Sequence, residues 1–239
     1  IQPREWPDSN WHKRGLMTYP VFRNPRQYMA TREPEHWRTT IKVSLERRAL
    51  KQCLDHVPDL SGGILDMPCG PGRLFPAWAK YDVPVYGIDY SDEFVEAASA
   101  IHEELGLSGR VGHGDAFDKE KILDFLEGHT PSVAASIRFI YYFGSMKRRR
   151  YLEILRDMGF EYVLTQYIIR NSPKSRWKRY SRRLRNRQVS RERGPHIERR
   201  ALRSSRVLEE LDTAGLEVLE FVPVAPVSDR YFVLGRFRG

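Results

Sequence analysis

ILDMPCGPGRL, residues 64–74, is the stretch whose reading decides the fold. Ile64 and Leu65 form a short apolar run opened by Gly62 and Gly63; Asp66 closes it, and Gly70 and Gly72 open the next segment. Such a run reads as a strand buried on both faces. The glycines behind it permit positive φ and close approach of a ligand to the backbone. GRLFPAWAKY, residues 72–81, can form the following helix because Pro76 falls near its first turn, where a missing N–H is tolerated.

Toward the C-terminus the alternation repeats. VPVYGIDY (83–90) predicts a second strand. Ser91 then serves as N-cap of a helix with Asp92 and Glu93 in its first turn, Phe94, Ala98, Ile101 and Leu105 on one face, and Gly106 as its stop. RVGHGDAF (110–117) predicts a third strand, KEKILDFLEG (119–128) a helix, VAASIRFIYYF (133–143) a fourth strand, MKRRRYLEILRDMG (146–159) a helix and EYVLTQYII (161–169) a fifth strand. Strands separated by helices in this way imply a parallel sheet covered on both faces. SSRVLEELDTAG (204–215) reads as a capped helix ended by Gly215. LEVLEFVPV and DRYFVLGRF follow as strands whose short connection forces them antiparallel. The expected fold is α/β: a doubly wound, mostly parallel seven-stranded sheet ending in an antiparallel hairpin.

Toward the N-terminus, Trp37, Ile41, Leu45, Ala49, Leu50, Cys53, Leu54 and Val57 recur at spacings of three or four, predicting an amphipathic helix of about five turns. The first 33 residues show neither helical nor strand period and read as an irregular arm. The domain reading is therefore an arm and lid helix over 1–58 and a sheet domain over 59–239 with a basic insertion at 170–206.

That insertion concentrates the charge. Residues 170–206 hold 15 Lys/Arg and 2 Asp/Glu, a local +13, while the remaining 25 basic and 29 acidic residues sum to −4, giving the chain its +9. A nearly pure basic run must be solvated, paired or set opposite an anion, so phosphate, phospholipid or nucleic acid fits as a partner. Trp177, Tyr180 and Leu184 recur at helical spacing within it. Hydrophobic residues at 41% and aromatics at 12% are ordinary for a globular protein. Cys53 and Cys69 are too few for a disulfide framework or a cysteine-based zinc site, and no metal is expected. With neither an 18-residue apolar run nor a secretory h-region in the sequence, the expected location is cytoplasmic, with peripheral contact at the inner membrane face.

The chemistry lies at the strand ends. A nicotinamide enzyme would extend the glycine turn to G-x-G-x-x-G, but position 75 is Phe75, and Asp66 would repel a pyrophosphate while suiting a cationic ligand with an amino group. Asp89, followed by Tyr90, ends the second strand 23 residues later, where a carboxylate can accept from both ribose hydroxyls. Asp115 lies at the third strand end, where it can accept from an adenine amino group while the Ala116 amide faces a ring nitrogen. Each acid alone also suits a helix cap or a surface turn. Three at successive strand ends converge on one ligand.

D-x-P-C-G-x-G with an acid at the second strand end and G-D-A at the third resembles the class I S-adenosylmethionine-dependent methyltransferase family. The resemblance covers roughly residues 62–170 and 204–238. It implies that Asp66, Cys69, Gly70 and Gly72 surround the methionine part of S-adenosylmethionine, Asp89 the ribose, and Asp115 and Ala116 the adenine. Pro68 stands where the common family form has glycine. Pro68, Tyr90 and Arg138, the last just beyond the fourth strand, complete the expected cofactor site.

Methyl transfer from a sulfonium mainly requires alignment, and a base only where the acceptor must lose a proton. Tyr141 and Tyr142, where many small-molecule members of the family carry a His pair, are catalytic candidates with aromatic packing as their other reading. His113 is a third candidate, with a turn residue as its other reading. A D/N-P-P-Y/F motif, which marks amino methylation in the family, is absent after the fourth strand. The expected acceptor is therefore an anionic, oxygen-nucleophile small molecule or lipid-linked glycan held by Arg179, Arg182 and Arg183 of the insertion. Closure of the arm would exclude water and turn Tyr19, Arg23, Tyr28 and Arg32 toward the ligand. RNA methylation through the basic segment ranks second, and a catalytically silent cofactor-binding protein third.

Overall fold

The computed structural model describes residues 41–170, 172–173, 176–177, 180, 201–226 and 228–239. The arm with Tyr19, Arg23, Tyr28 and Arg32, and the insertion's Arg179, Arg182, Arg183 and Leu184, lie outside the described residues.

Strands β1 (Ile64–Asp66), β2 (Val85–Asp89), β3 (Gly109–His113), β4 (Val133–Ser136) and β5 (Tyr162–Ile169) pair in parallel. β7 (Leu216–Pro223) and β8 (Arg230–Phe237) form the antiparallel hairpin, and β8 pairs antiparallel with β5. The order is β3-β2-β1-β4-β5-β8-β7. The winding direction reverses between β1 and β4, the switch point at whose carboxyl edge open α/β sheets bind ligands. These are the seven strands expected; a two-residue strand, β6 (Ala201–Leu202), lies off this path beside the end of β5. Nothing in a two-residue segment within a basic run signals a strand.

Alternation along each strand sends apolar side chains to both faces. Ile64, Val85, Val133, Ala135, Leu164, Phe232 and Leu234 pack against α1 (Ile41–Leu54), α2 (Phe75–Trp78) and α3 (Asp92–Glu104). Leu65, Tyr86, Ala134, Val163, Tyr167 and Val233 pack against α4 (Lys119–Leu126), α5 (Ser145–Asp157) and α6 (Ser204–Thr213). Ala49, Leu50, Cys53 and Leu54 seat α1 over β7 and β8, and His56 Nε2 lies 2.9 Å from Glu220 Oε2 just beyond the helix.

Three local readings are corrected. The stretch 133–143 is not one strand. β4 stops at Ser136, Arg138 takes a φ of 63°, and Ile140–Tyr142 form a 3-10 turn. Phe139 and Phe143 pack edge-on against Phe117 or Tyr151 across the turn, so the aromatic run serves tertiary packing rather than strand pairing. The helix after the glycines is α2 alone, continued as a 3-10 turn over Ala79–Tyr81 and ended by Asp82 at a φ of 52°. α6 starts after Arg203 with no side-chain cap, because Ser204 and Ser205 fall inside the helix. Ser91 and Asp118, by contrast, cap α3 and α4 as acceptors from Phe94 and Lys121 amides.

Candidate functional site

The turn after β1 is held from both sides of the switch point. Met67 N donates to Ala135 O of β4 and Cys69 N to Ile88 O of β2, each at 2.9 Å, while Tyr151 Oη of α5 donates to Met67 O at 3.1 Å. Its two glycines have different reasons. A Cβ on Gly72 (φ 73°) would lie 2.9 Å from the Phe75 ring and 3.1 Å from Ala98 Cα, so that position is closed by packing. Gly70 (φ 56°) has no atom of the described residues within 4 Å of where a Cβ would stand. Pro68 and Cys69 line the same turn. Burial pushes the Cys69 thiol well above its ordinary range, which leaves it a proton-bearing packing group.

The three strand-end acids differ in environment. Asp66 is fully buried and accepts from Trp78 Nε1 at 2.9 Å; burial pushes its carboxyl up to about 7. Asp89 is 5% exposed and accepts from Gly70 N at 2.8 Å and Ser91 N at 3.0 Å, so it ties the end of β2 to the glycine turn. Burial raises its carboxyl against the pull of the Ser91, Gly70 and Tyr90 amides. Asp115 lies two residues past β3, accepts from Phe117 N at 2.9 Å, and is followed by the buried Ala116. Tyr90 is exposed, and its ring lies 5.5 Å from that of His113. Asp89, Tyr90, His113, Asp115 and Ala116 thus gather over β2 and β3. Asp66 lies beneath the turn against an indole.

The opposite flank, over β4, β5 and β8, carries a group that sequence reading missed. Glu46 of α1 is 5% exposed, receives Arg73 through both carboxylate oxygens, and has Arg138 Nη2 at 3.7 Å. Burial pushes its carboxyl up, but Arg73, Arg138 and Arg230 outweigh burial and hold it below the ordinary carboxylate range. Arg138, expected beside the cofactor, is thereby joined to α1. In the sequence Glu46 is one more charge on an amphipathic helix, and no local pattern distinguishes it.

The catalytic candidates fall in two places. Tyr141 is buried, stacks at 4.7 Å on Tyr142, and has its phenol pushed up by burial; it keeps its proton at neutral pH and can act as a donor. His113 Nε2 lies 2.9 Å from Tyr90 O, an acceptor, so that nitrogen carries a proton. It stands on the β2–β3 flank, away from Tyr141. In the insertion, Trp177 and Tyr180 are exposed with ring centroids 6.1 Å apart, and with Pro173 and Arg176 they line a shallow groove.

Residues 64–158 match the family model described as a methyltransferase domain. No curated protein matches the chain in sequence. Among solved structures the chain is similar to the magnesium protoporphyrin IX methyltransferase of Synechocystis with bound S-adenosylhomocysteine, at 12% identity over 82% of this chain and 83% of that one, TM-score 0.59. It is similar to an S-adenosylmethionine-dependent methyltransferase of Aquifex aeolicus at 20% identity, over 87% of this chain and 100% of that one, TM-score 0.54. It is also similar to the O-methyltransferase of neocarzinostatin biosynthesis in complex with S-adenosylmethionine and 2-hydroxy-5-methyl naphthoic acid, at 14% identity over 86% of this chain and 59% of that one, TM-score 0.55. The matched stretch spans the glycine turn and all three strand-end acids, so residues 64–158 carry a methyltransferase domain, on the fold that S-adenosylmethionine-dependent methyltransferases share.

Proposed function

We propose that the enzyme methylates an oxygen of a small anionic acceptor, with the cofactor across the switch point and the acceptor over β4, β5 and β8. The observation that carries the acceptor reading is the arginine group. Three guanidiniums, Arg73, Arg138 and Arg230, act on one buried carboxylate, Glu46, on the flank away from Asp89 and Asp115. Guanidinium forks match carboxylate and phosphate oxygens.

The residues of the turn fit the cofactor. Asp89 is a buried carboxylate whose oxygens can accept from ribose hydroxyls beside its amide bonds, Gly70 offers approachable backbone, and Asp115 with the Ala116 amide offers an acceptor and a donor to adenine. Pro68, Cys69 and Gly72 shape the wall beside the methionine part. Tyr90 covers the adenosine flank, and Asp66 holds Trp78 under the turn. When bound, S-adenosylmethionine supplies a methyl group on a sulfonium and a neutral thioether leaving group. This chain's residues align the acceptor and exclude water; Tyr141, which keeps its proton, acts as a donor rather than as a base.

Oxygen is favoured over amino nitrogen because Ser136, Ile137, Arg138 and Phe139 stand where D/N-P-P-Y/F would. The fold neighbour crystallised with a hydroxynaphthoic acid supports a small acid as acceptor. The test is transfer of tritiated methyl to cell extract separated into RNA, lipid, polysaccharide, protein and small molecules. Label is expected in the small-molecule or lipid-linked fraction, on a product that an anion exchanger retains at pH 7. Label in RNA or protein sinks the reading, and label in no fraction supports the catalytically silent form.

A further inference from the structure

Gln166 lies wholly buried in β5, and neither its Nε2 nor its Oε1 has a hydrogen-bond partner among the described residues. Its face follows from alternation. Tyr162 and Leu164 belong to the core beneath α1, and Val163 and Tyr167 to the opposite core, so Gln166 points to the α1 side. Its partner across the ladder, Phe232, lies in that same core, and Arg230, two residues earlier on β8, shares the face opposite Ile168. β4 ends with Ser136 paired to Thr165, so Gln166 is the first residue of β5 beyond that end, beside the point where the chain leaves toward Arg138. The 3-10 turn carrying Tyr141 packs against β5, and Tyr141 is close enough to Arg230 and Arg138 for both charges to act on its phenol.

A buried amide without partners destabilises the fold, and such groups persist where a ligand completes their pairing. An amide asks for a partner that both donates and accepts, which a hydroxyl does, and a guanidinium fork matches a carboxylate. We propose that Gln166 is the specificity-determining residue of the acceptor site, reading a hydroxyl of a hydroxylated carboxylic acid whose carboxylate meets Arg230 and Arg138. This rests on the reading of the acceptor as a small anion.

The experiment uses the full chain with Gln166→Met, which keeps an unbranched side chain of similar length. The melting temperature without ligand is expected to rise by about 2 to 8 °C, since an unpaired amide is removed. Affinity for S-adenosylhomocysteine should stay within about twofold. Methyl transfer to whichever extract fraction the wild type labels should fall at least about tenfold, the loss from one missing hydrogen-bonding pair. A second variant, Gln166→Glu, places a carboxylate beside Arg230; it should fold, bind S-adenosylhomocysteine, and need a higher acceptor concentration for half-maximal labelling. A structural glutamine gives the opposite pattern: a melting temperature that falls or stays in Gln166→Met, with labelling retained by both variants, and that result overturns the assignment. The fraction that the wild type labels judges the function, and the ratio of variant to wild type judges Gln166.

Discussion

Asp66 and Asp89 each end a strand with a carboxylate, yet their surroundings give them different work. Asp66 titrates at about 7 in the fold because burial outweighs the Trp78 hydrogen bond and the Arg73 charge, against 3.8 when unfolded. A raised pKa means that the native state binds the extra proton, so this contribution to stability is present below pH 4 and is lost as pH rises to about 7. Asp66→Asn keeps an oxygen for Trp78 Nε1 and cannot ionise. Urea unfolding should find the variant level with wild type near pH 4 and more stable at pH 8 by on the order of 2 to 4 kcal/mol. Parallel curves across that range would show that Asp66 does not carry the proton. Asp89 instead accepts the Gly70 and Ser91 amides at the edge of the cleft. Asp89→Ala should weaken S-adenosylhomocysteine binding by roughly 1 to 3 kcal/mol in calorimetry, the cost of a lost charged hydrogen-bond partner; unchanged affinity would remove the ribose assignment. Asp66 and Asp89 were legible in the sequence because each closes an apolar run. Glu46 and Gln166 were not: one hides in a helical charge pattern, the other in the apolar run of β5, and their significance arises only from what the fold brings beside them.

At the scale of elements, helices α5 and α6 are joined across the back of the sheet by a buried ion pair. Arg148 donates from Nε and Nη2 to the two carboxylate oxygens of Glu210 at 2.6 Å each, and from Nη1 to Phe143 O. Both side chains are almost fully buried, 3% and 7% exposed, so removing one partner strands the other in an apolar layer. Glu210→Ala should cost about 3 to 5 kcal/mol of unfolding free energy, and the double replacement Arg148→Met with Glu210→Leu should recover most of it. A double variant as unstable as the single one would mean that the charges, rather than the packing, hold these helices. Elements with a strong period or cap, such as α3 behind Ser91, are visible in the sequence. The 133–143 run is where period fails: its aromatic residues are as apolar as a strand requires, and only their packing around Phe117 and Tyr151 bends them into a turn.

For the whole molecule, charge acts at two distances. Residues 170–206 carry a net +13 of sequence charge, a field that reaches about 10 Å into solution at 0.1 M salt. The arginines around Glu46 are largely shielded by α1 and act at contact range. A small hydroxy acid would be drawn by the first and held by the second, so its kcat/KM should fall by less than about tenfold between 50 and 200 mM salt while kcat stays level. An RNA acceptor lying along the basic segment behaves otherwise. Each neutralised phosphate on a duplex adds nearly one log unit per log unit of salt, and six to ten of them lose about 10³ to 10⁵ in affinity over the same interval. Methyl-transfer rates across that salt range, measured with tritiated cofactor on the labelled fraction, therefore separate a contact-held acceptor from a field-held one. A steep fall would transfer the acceptor from the Arg230 and Gln166 flank to the insertion, and with it the reading of the enzyme as a small-molecule methyltransferase.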